Sequence, residues 1–241
     1  MATVTEHYDQ VLSDVYSWMF GGFKSGIEKN IRFFDSHRIT PARSGTAVDL
    51  GAGCGFQSIP LAKAGFSVTA IDIDGKLLDE LKRHSDSLPV RTVQDDLINF
   101  DTHIEGEVEL IVCMTDTVLH LESRDRVVSL FQKVFAALEE GGRFIITLRD
   151  LSSELEELDR FIPVRSDENT IFTCFLEYEP QAVKVHDIVY QREHDQWTLS
   201  KSYYRKLRLS KDWVEGRLSD AGFGRVKVTV DHGLVTVVAT R

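Results

Sequence analysis

Cysteine is scarce in this 241-residue sequence: Cys54, Cys113 and Cys174 are odd in number and far apart. Neither a disulfide framework nor a zinc knuckle is expected from them, and no metal site is assigned. Long apolar runs are missing too; none approaches the roughly 20 residues that a membrane-crossing helix needs. The first residues, Met-Ala-Thr-Val-Thr-Glu-His-Tyr, lack the basic and apolar regions of a signal peptide, so a cytoplasmic location is the default expectation. Basic residues are in deficit, 28 Lys and Arg against 38 Asp and Glu, for a net charge of −10. Binding to phosphate backbones needs the opposite sign, so nucleic acid is not expected as the main partner, nor is a membrane. From Gln181 onward the balance reverses, with eleven Lys and Arg to seven acids. That is either a solvated sheet face or a local site for an anionic group. No internal repeat or low-complexity segment is present.

What the chain does have is the segment Ala47-Val-Asp-Leu-Gly-Ala-Gly-Cys-Gly-Phe56. It reads as a short buried strand running into a glycine-dense turn and a helix. Gly51, Gly53 and Gly55 alternate with Ala52 and Cys54, so no bulky side chain stands in the turn, and positive φ is open to the backbone. Asp49 precedes the turn, and Asp72, followed by Ile73, closes the next apolar run. A glycine turn followed about twenty residues later by an acid is how doubly wound folds hold a nucleoside, the carboxylate accepting from ribose hydroxyls. The spacing is G-x-G-x-G rather than the G-x-G-x-x-G of dinucleotide sites. Asp49 would repel a pyrophosphate, but it suits a cationic amino-acid end, directly or through water.

Strands and helices alternate around this motif. Helical periodicity covers the first forty residues, with Val11, Val15, Trp18 and Met19 on one face, a break at Gly21-Gly22, and a second helix from about Ser25 to Asp35. Strands are expected at 48–50, 67–71, 90–94, 110–114 and 143–148, and helices at 57–64, 76–84 and 124–138, the last stopped by Gly141-Gly142. After Asp150 come three β-rich stretches, 170–178, 183–191 and 197–209, which predict an antiparallel meander. A helix at 211–221 and a closing hairpin, 225–230 and 234–240, complete the chain. The expected fold is α/β: a Rossmann-like, seven-stranded, mostly parallel sheet with an antiparallel last strand. It forms one domain over 1–241, with a helical cap (1–40), a core (41–150 and 210–241) and a β-rich lid insertion (151–209).

The glycine turn, with Asp49 ahead of it and Asp72 after it, resembles motif I of the class I S-adenosylmethionine-dependent methyltransferases. The resemblance extends over about residues 46–150 and 210–241, and it implies S-adenosylmethionine as cofactor. Asp72 then takes the place of the ribose-binding acid. In Val93-Gln-Asp-Asp-Leu97, Asp96 and Leu97 fit the adenine contact, with Asp95 close enough to compete; paired acids after a strand also simply start turns. The resemblance implies that the loop after strand four, with Met114, Thr115, Asp116 and Thr117, lies beside the cofactor sulfur and the acceptor. Asp116 departs from the amide or small residue of many related enzymes. His120 is either a general base or a packed histidine. Tyr16 and Trp18 are either core residues or ring faces closing on the cofactor or a cationic acceptor.

Ile-Thr-Leu-Arg-Asp-Leu around Arg149 resembles glycine and sarcosine N-methyltransferases, where an arginine at this place holds a substrate carboxylate. The alternative is an Arg149–Asp150 surface pair. By strand alternation Tyr203, Arg205, Leu207 and Leu209 share a face, and Arg205 either looks into the pocket or snorkels outward. The expectation is methyl transfer to nitrogen or oxygen of a small molecule by direct displacement, nitrogen preferred, with Trp18, Arg149, Tyr203 and Arg205 as candidate acceptor contacts. A non-catalytic nucleoside-binding module and, less favoured by the glycine spacing, an NAD-dependent oxidoreductase are the alternatives.

Overall fold

Strand-forming runs of Val, Ile and Leu, each followed by a helical segment, give a parallel sheet covered on both faces. In the computed structural model, which describes residues 4–241 apart from the side chains of residues 4, 5 and 9, these runs are β1 (Thr46–Leu50), β2 (Ser67–Asp72), β3 (Val90–Gln94), β4 (Val108–Cys113) and β5 (Leu138–Arg149). The chain closes with β10 (Arg225–Asp231) and β11 (Leu234–Thr240). The seven-stranded order is β10-β11-β5-β4-β1-β2-β3, with β11 antiparallel to both its neighbours. β1 is flanked by β2 on one side and β4 on the other, both parallel. The strand order therefore reverses at β1, and a crevice opens outside the carboxyl ends there.

One face of the sheet is covered by α6 (Arg124–Ala137) and α7 (Lys211–Asp220), with Leu130, Phe131, Phe144 and Leu218 fully buried between them and the strands. The other face carries α3 (Phe23–Ser36), α4 (Ser58–Lys63) and α5 (Gly75–Ser85), whose Phe34, Leu61, Leu78 and Leu81 are buried. α6 ends before Gly141-Gly142. The two glycines lie inside β5, where the register jumps from Val108↔Leu138 to Leu110↔Arg143. A glycine pair after a helical pattern reads as a helix stop, but the same conformational freedom makes a bulge.

Between β5 and α7 lies a separate antiparallel sheet, β6 (Phe161–Ser166), β7 (Thr170–Tyr178), β8 (Ala182–Glu193) and β9 (Gln196–Leu207), in that order. Three of its strands are legible in the sequence. β6 is not, because Pro163 and a register shift between Pro163 and Arg165 spoil its pattern; such a strand is tolerated at a sheet edge. Its inner face, with Phe172, Leu176, Val183, Val185, Val189 and Tyr204, packs against Val11, Leu12 and Val15. Those three belong to an N-terminal helical run made of α1 (Val4–His7), a π turn (Tyr8–Leu12), a 3-10 turn (Ser13–Val15) and α2 (Tyr16–Met19). The run is pinned on two sides. His7 Nε2 and Asp187 Oδ2, both buried, lie 2.8 Å apart, while Ser13 and Ser17 donate to Asp74 and Glu80 at 2.6 Å each. It ends at Gly21 and Gly22, with φ of 92° and 91°.

Helix α3 approaches the glycine turn at Gly26, where a Cβ would stand 2.6 Å from Phe56 Cδ1. The Phe56 ring is itself packed against Phe20 and Phe23 and cannot yield. Alanine would gain about 1 kcal/mol of helix propensity, but overpacking of this kind costs about 1–3 kcal/mol. Gly26→Ala is therefore expected to lower the urea midpoint with its slope unchanged. A midpoint equal to or above that of the unsubstituted protein would contradict the packing argument.

Candidate active site

The turn after β1 needs its glycines for different reasons. Gly51, Gly53 and Gly55 all have left-handed φ, at 74°, 52° and 94°. A Cβ on Gly51 would collide with Thr117, and one on Gly55 with Leu81. At Gly53 the nearest atom, on Tyr16, would be 3.7 Å away. Gly51 and Gly55 thus permit close packing, and Gly53 keeps space open. Asp72, at the end of β2, accepts from Gly53 N at 2.7 Å through Oδ2 and from Asp74 N at 2.8 Å through Oδ1. Each oxygen keeps a second lone pair, and burial pushes the carboxyl above its ordinary range.

Asp49 lies beneath the turn, buried, with Ser58 Oγ donating to Oδ2 at 2.6 Å. Its Oδ1 is buried without a partner. Burial pushes this carboxyl up to about 7, opposed by the Ser58 bond and helped by nearby Asp72.

A cavity of about 390 Å³ opens above the turn, outside the carboxyl ends of β1, β2 and β4. Its volume falls in the range of small-molecule sites. Of the residues singled out from sequence, Gly51, Gly53, Asp72, Ile73, Asp96, Leu97, Thr115, His120 and Tyr16 line it. Ala52, Cys54 and Gly55 do not; Ala52 and Cys54 are buried in the apolar cluster under the turn. Met114 faces the core beside Val112 and Ile145. Asp95 turns away: it bonds His103 at 2.7 Å and accepts from Asn99 and Asp96 N, contacts that hold its carboxyl low. Asp96 is the acid at the wall. It caps the following 3-10 turn through Ile98 N and meets Arg126 at 3.4 Å.

Thr117, expected in the crevice from its loop, lines the cavity too; Tyr8, Asp74, Leu77, Leu121, Glu122 and Arg126 do as well, and sequence reasoning missed them. Asp74 carried a signal, since Asp followed by a helical run marks an N-cap; its side chain accepts from Leu77 N. Arg126, on α6, carried none.

Four expectations about acceptor contacts are corrected. Trp18 points away from the cavity, donating from Nε1 to Asp167 at 2.6 Å with Arg165 over its ring. On the expected face of β9, Leu207 and the following Leu209 are buried in the core, but Tyr203 and Arg205 are turned outward. Arg205 forks onto Glu179 at 2.7 and 2.9 Å, and Tyr203 stands beside His186, both on the outer side. Tyr204 and Lys206 face inward. Arg149 reaches neither the cavity nor Asp150. It binds Asp116, its N–H donating to Oδ1 at 2.7 Å and its Nη1 to Oδ2 at 3.0 Å.

Asp116 is buried, in left-handed backbone (φ 66°) behind the cavity wall, and Lys206 Nζ donates to its Oδ2 at 2.7 Å. Burial pushes its carboxyl up, but Lys206 and Arg149 outweigh that and hold it at about 2. His120 follows one turn later, in the wall, its ring stacked on Tyr204 at 5.1 Å and edge-on to Tyr8 at 6.1 Å. Burial, reinforced by Lys206 and only partly offset by Asp116, pushes it down to about 3. His120 is thus a neutral imidazole, and its Nδ1 is buried without a partner. Among the described residues, the charged groups on the wall are Asp72, Asp74, Asp96 and Glu122 against one arginine, Arg126, which faces Asp96. Such a wall accommodates a cationic or neutral ligand and disfavours an anion.

Residues 47–142 match the family model described as a methyltransferase domain. The chain is 27% identical over 204 residues to a putative methyltransferase, YqeM, of Bacillus subtilis, covering 78% of this chain and 76% of that one. It is 24% identical over 179 residues to a glycine/sarcosine N-methyltransferase of Aphanothece halophytica, covering 73% and 65%. Its fold is similar to that of an S-adenosylmethionine-dependent methyltransferase from Clostridium acetobutylicum, with a TM-score of 0.71, 18% identity and coverage of 97% and 95%.

The Asp116 carboxyl lies below its ordinary value in the folded chain, so its contribution to stability is full above about pH 4 and fades as pH falls towards 2. The shift corresponds to about 2 kcal/mol at neutral pH. Asp116→Asn is expected to lose about that much or more in urea unfolding at pH 7, and its deficit should shrink as the pH is lowered below about 4. An equal deficit at every pH would remove the charge argument.

Proposed function

Since the chain belongs to the class I S-adenosylmethionine-dependent methyltransferases, we propose that it methylates the nitrogen of a small amine that carries no anionic group. The observation that carries this reading is the acid-lined cavity with a neutral, unpartnered His120 imidazole in its wall. S-adenosylmethionine fits the residues present. Gly51 and Gly53 allow close backbone approach, Asp72 has lone pairs left for the ribose hydroxyls, and Asp96 with Leu97 suits the adenine edge. Asp49, beneath the turn and outside the cavity lining, has an unpartnered Oδ1 that suits the ammonium of the amino-acid end through water. When bound, the cofactor supplies an electrophilic methyl group on a sulfonium, an excellent leaving group, so the protein's work is alignment and exclusion of water.

In this reading the acids of the wall attract a protonated amine. His120, held neutral by burial, brings no positive charge up to the sulfonium or the protonated amine, and the amine sheds its proton to solvent before its lone pair attacks. Tyr8 and Tyr16 close the cavity from the N-terminal run, and the second sheet acts as a lid at the acceptor end, where Tyr204 backs His120. The carboxylate-bearing acceptor anticipated from Arg149 and Arg205 is withdrawn, because both guanidiniums are taken up by Asp116 and Glu179. Nitrogen is also the atom named for the Aphanothece relative.

Two predictions follow from the site. Calorimetry with S-adenosylhomocysteine should find binding weakened by about 1.5–3 kcal/mol in Asp72→Ala, the scale of hydrogen bonds to a charged group. Asp49 is protonated below about pH 7 and its anion is the form that receives an ammonium, so affinity should fall as pH drops through 7. Asp49→Asn should bind weakly at all pH values and lose that dependence. Wild-type affinity in Asp72→Ala, with the fold intact, would move the nucleoside elsewhere.

The second concerns the acceptor. In a methyl-donor consumption screen over amines, amino acids and phenols, amines without a carboxylate should turn over fastest. His120→Gln should reduce turnover by about tenfold while sparing cofactor affinity, the cost of a disturbed acceptor wall rather than of a lost base. A preference for amino acids or phenols, or full turnover in His120→Gln, would sink the reading.

A further inference from the structure

We propose that Lys206 is a positioning residue through which the second sheet sets the His120 imidazole, both by gripping Asp116 and by the field of its own ammonium. The proposal rests on the reading of His120 as the group beside the acceptor. The geometry comes from β9. Its two inward-facing residues, Tyr204 and Lys206, engage the two ends of one short 3-10 turn, Thr117–His120. Tyr204 lies flat on the His120 ring, 12° from parallel. Lys206 grips Asp116, whose backbone carbonyl accepts from Leu119 N at 2.8 Å and so begins the turn. Asp116 holds a left-handed conformation that a non-glycine residue keeps only when its surroundings fix it. The lysine is therefore part of what aims the imidazole.

Two cations bind Asp116, and they are not equivalent. The Arg149 side chain is 69% exposed, whereas that of Lys206 is 11% exposed and its Nζ lies 5.8 Å from the centre of the Tyr204 ring that His120 stacks on. Solvent screens the arginine; the lysine acts through protein. The groups facing His120 are His7 and Tyr8 from the N-terminal run, Tyr204 and Lys206 from β9, and Asp116 from its own turn, with Asp187 of β8 behind His7. Lys206 opposes an imidazolium and Asp116 favours one. Removing the lysine leaves Asp116 with the exposed arginine alone, so the balance at His120 tips towards protonation, and the turn loses its inner anchor.

The test needs no acceptor. Histidine side-chain NMR of the full chain, with His120→Gln to assign the signal, follows protonation and tautomer from about pH 4.5 to 8. In the wild type and in Lys206→Arg, His120 is expected to stay neutral and in one tautomer across that window. In Lys206→Met its titration should move up by about two units or more, bringing protonation into the window, and the tautomer balance should change. A Lys206→Met spectrum that titrates as the wild type does would overturn the proposal, leaving the lysine a merely structural role. Wild-type protonation near the ordinary histidine value would overturn it as well, and that measurement stands even where Lys206→Met fails to fold. S-adenosylhomocysteine calorimetry on the same wild-type sample separates the two levels. No binding defeats the site reading itself, whereas binding with an unmoved His120 defeats only the role of Lys206.

Discussion

The buried Asp116 carboxylate ties the molecule together. It sits just beyond β4, accepts from the backbone and side chain of Arg149 at the end of β5, and holds Lys206 of β9. Three segments from two sheets meet on two oxygen atoms. A lone carboxylate at this depth would be costly, and its two cations make the cost tolerable only while all three segments are in place. The cavity wall that follows, Thr117 to Glu122, inherits its position from this knot.

The core was legible because its signals are local. Parallel strands buried on both faces read as short apolar runs, and β3, β7 and β11 span the residues expected of them. The glycine turn and Asp72 were legible for the same reason: a tight turn and its acid are separated by one helix, and their chemistry is written in residue types. What escaped was set by tertiary contact. Which of Asp95 and Asp96 faces the ligand depends on His103, eight residues on, which claims Asp95. Which face of β9 looks inward depends on Glu179 across the sheet, which claims Arg205. Alternation fixes that residues 203 and 205 share a side, but not which side is buried.

The arginine at the end of β5 shows how a resemblance can carry a residue without its role. The resemblance to the glycine and sarcosine enzymes implies a carboxylate-holding role for Arg149, yet here Asp116 supplies an internal carboxylate to the same guanidinium. With that partner built in, no outside anion is needed to neutralise the arginine, and the nearby cavity wall is lined by tyrosines and a neutral histidine. One acid in the loop after β4 thus changes what the neighbouring cation is available to bind.

The irregularity of the N-terminal run has a similar logic. Tyr8 and Tyr16 are eight residues apart, about 12 Å along a regular α-helix, yet their ring centroids are 6.2 Å apart and both line one cavity. A wide π turn followed by a tight 3-10 turn bends the run between them, and Ser13, at the bend, is fastened to Asp74. Asp74 also lines the cavity and caps α5. The bend, the helix cap and the wall are therefore one hydrogen-bonded unit. A ligand that contacted both tyrosines would therefore also border the residue that keeps them together.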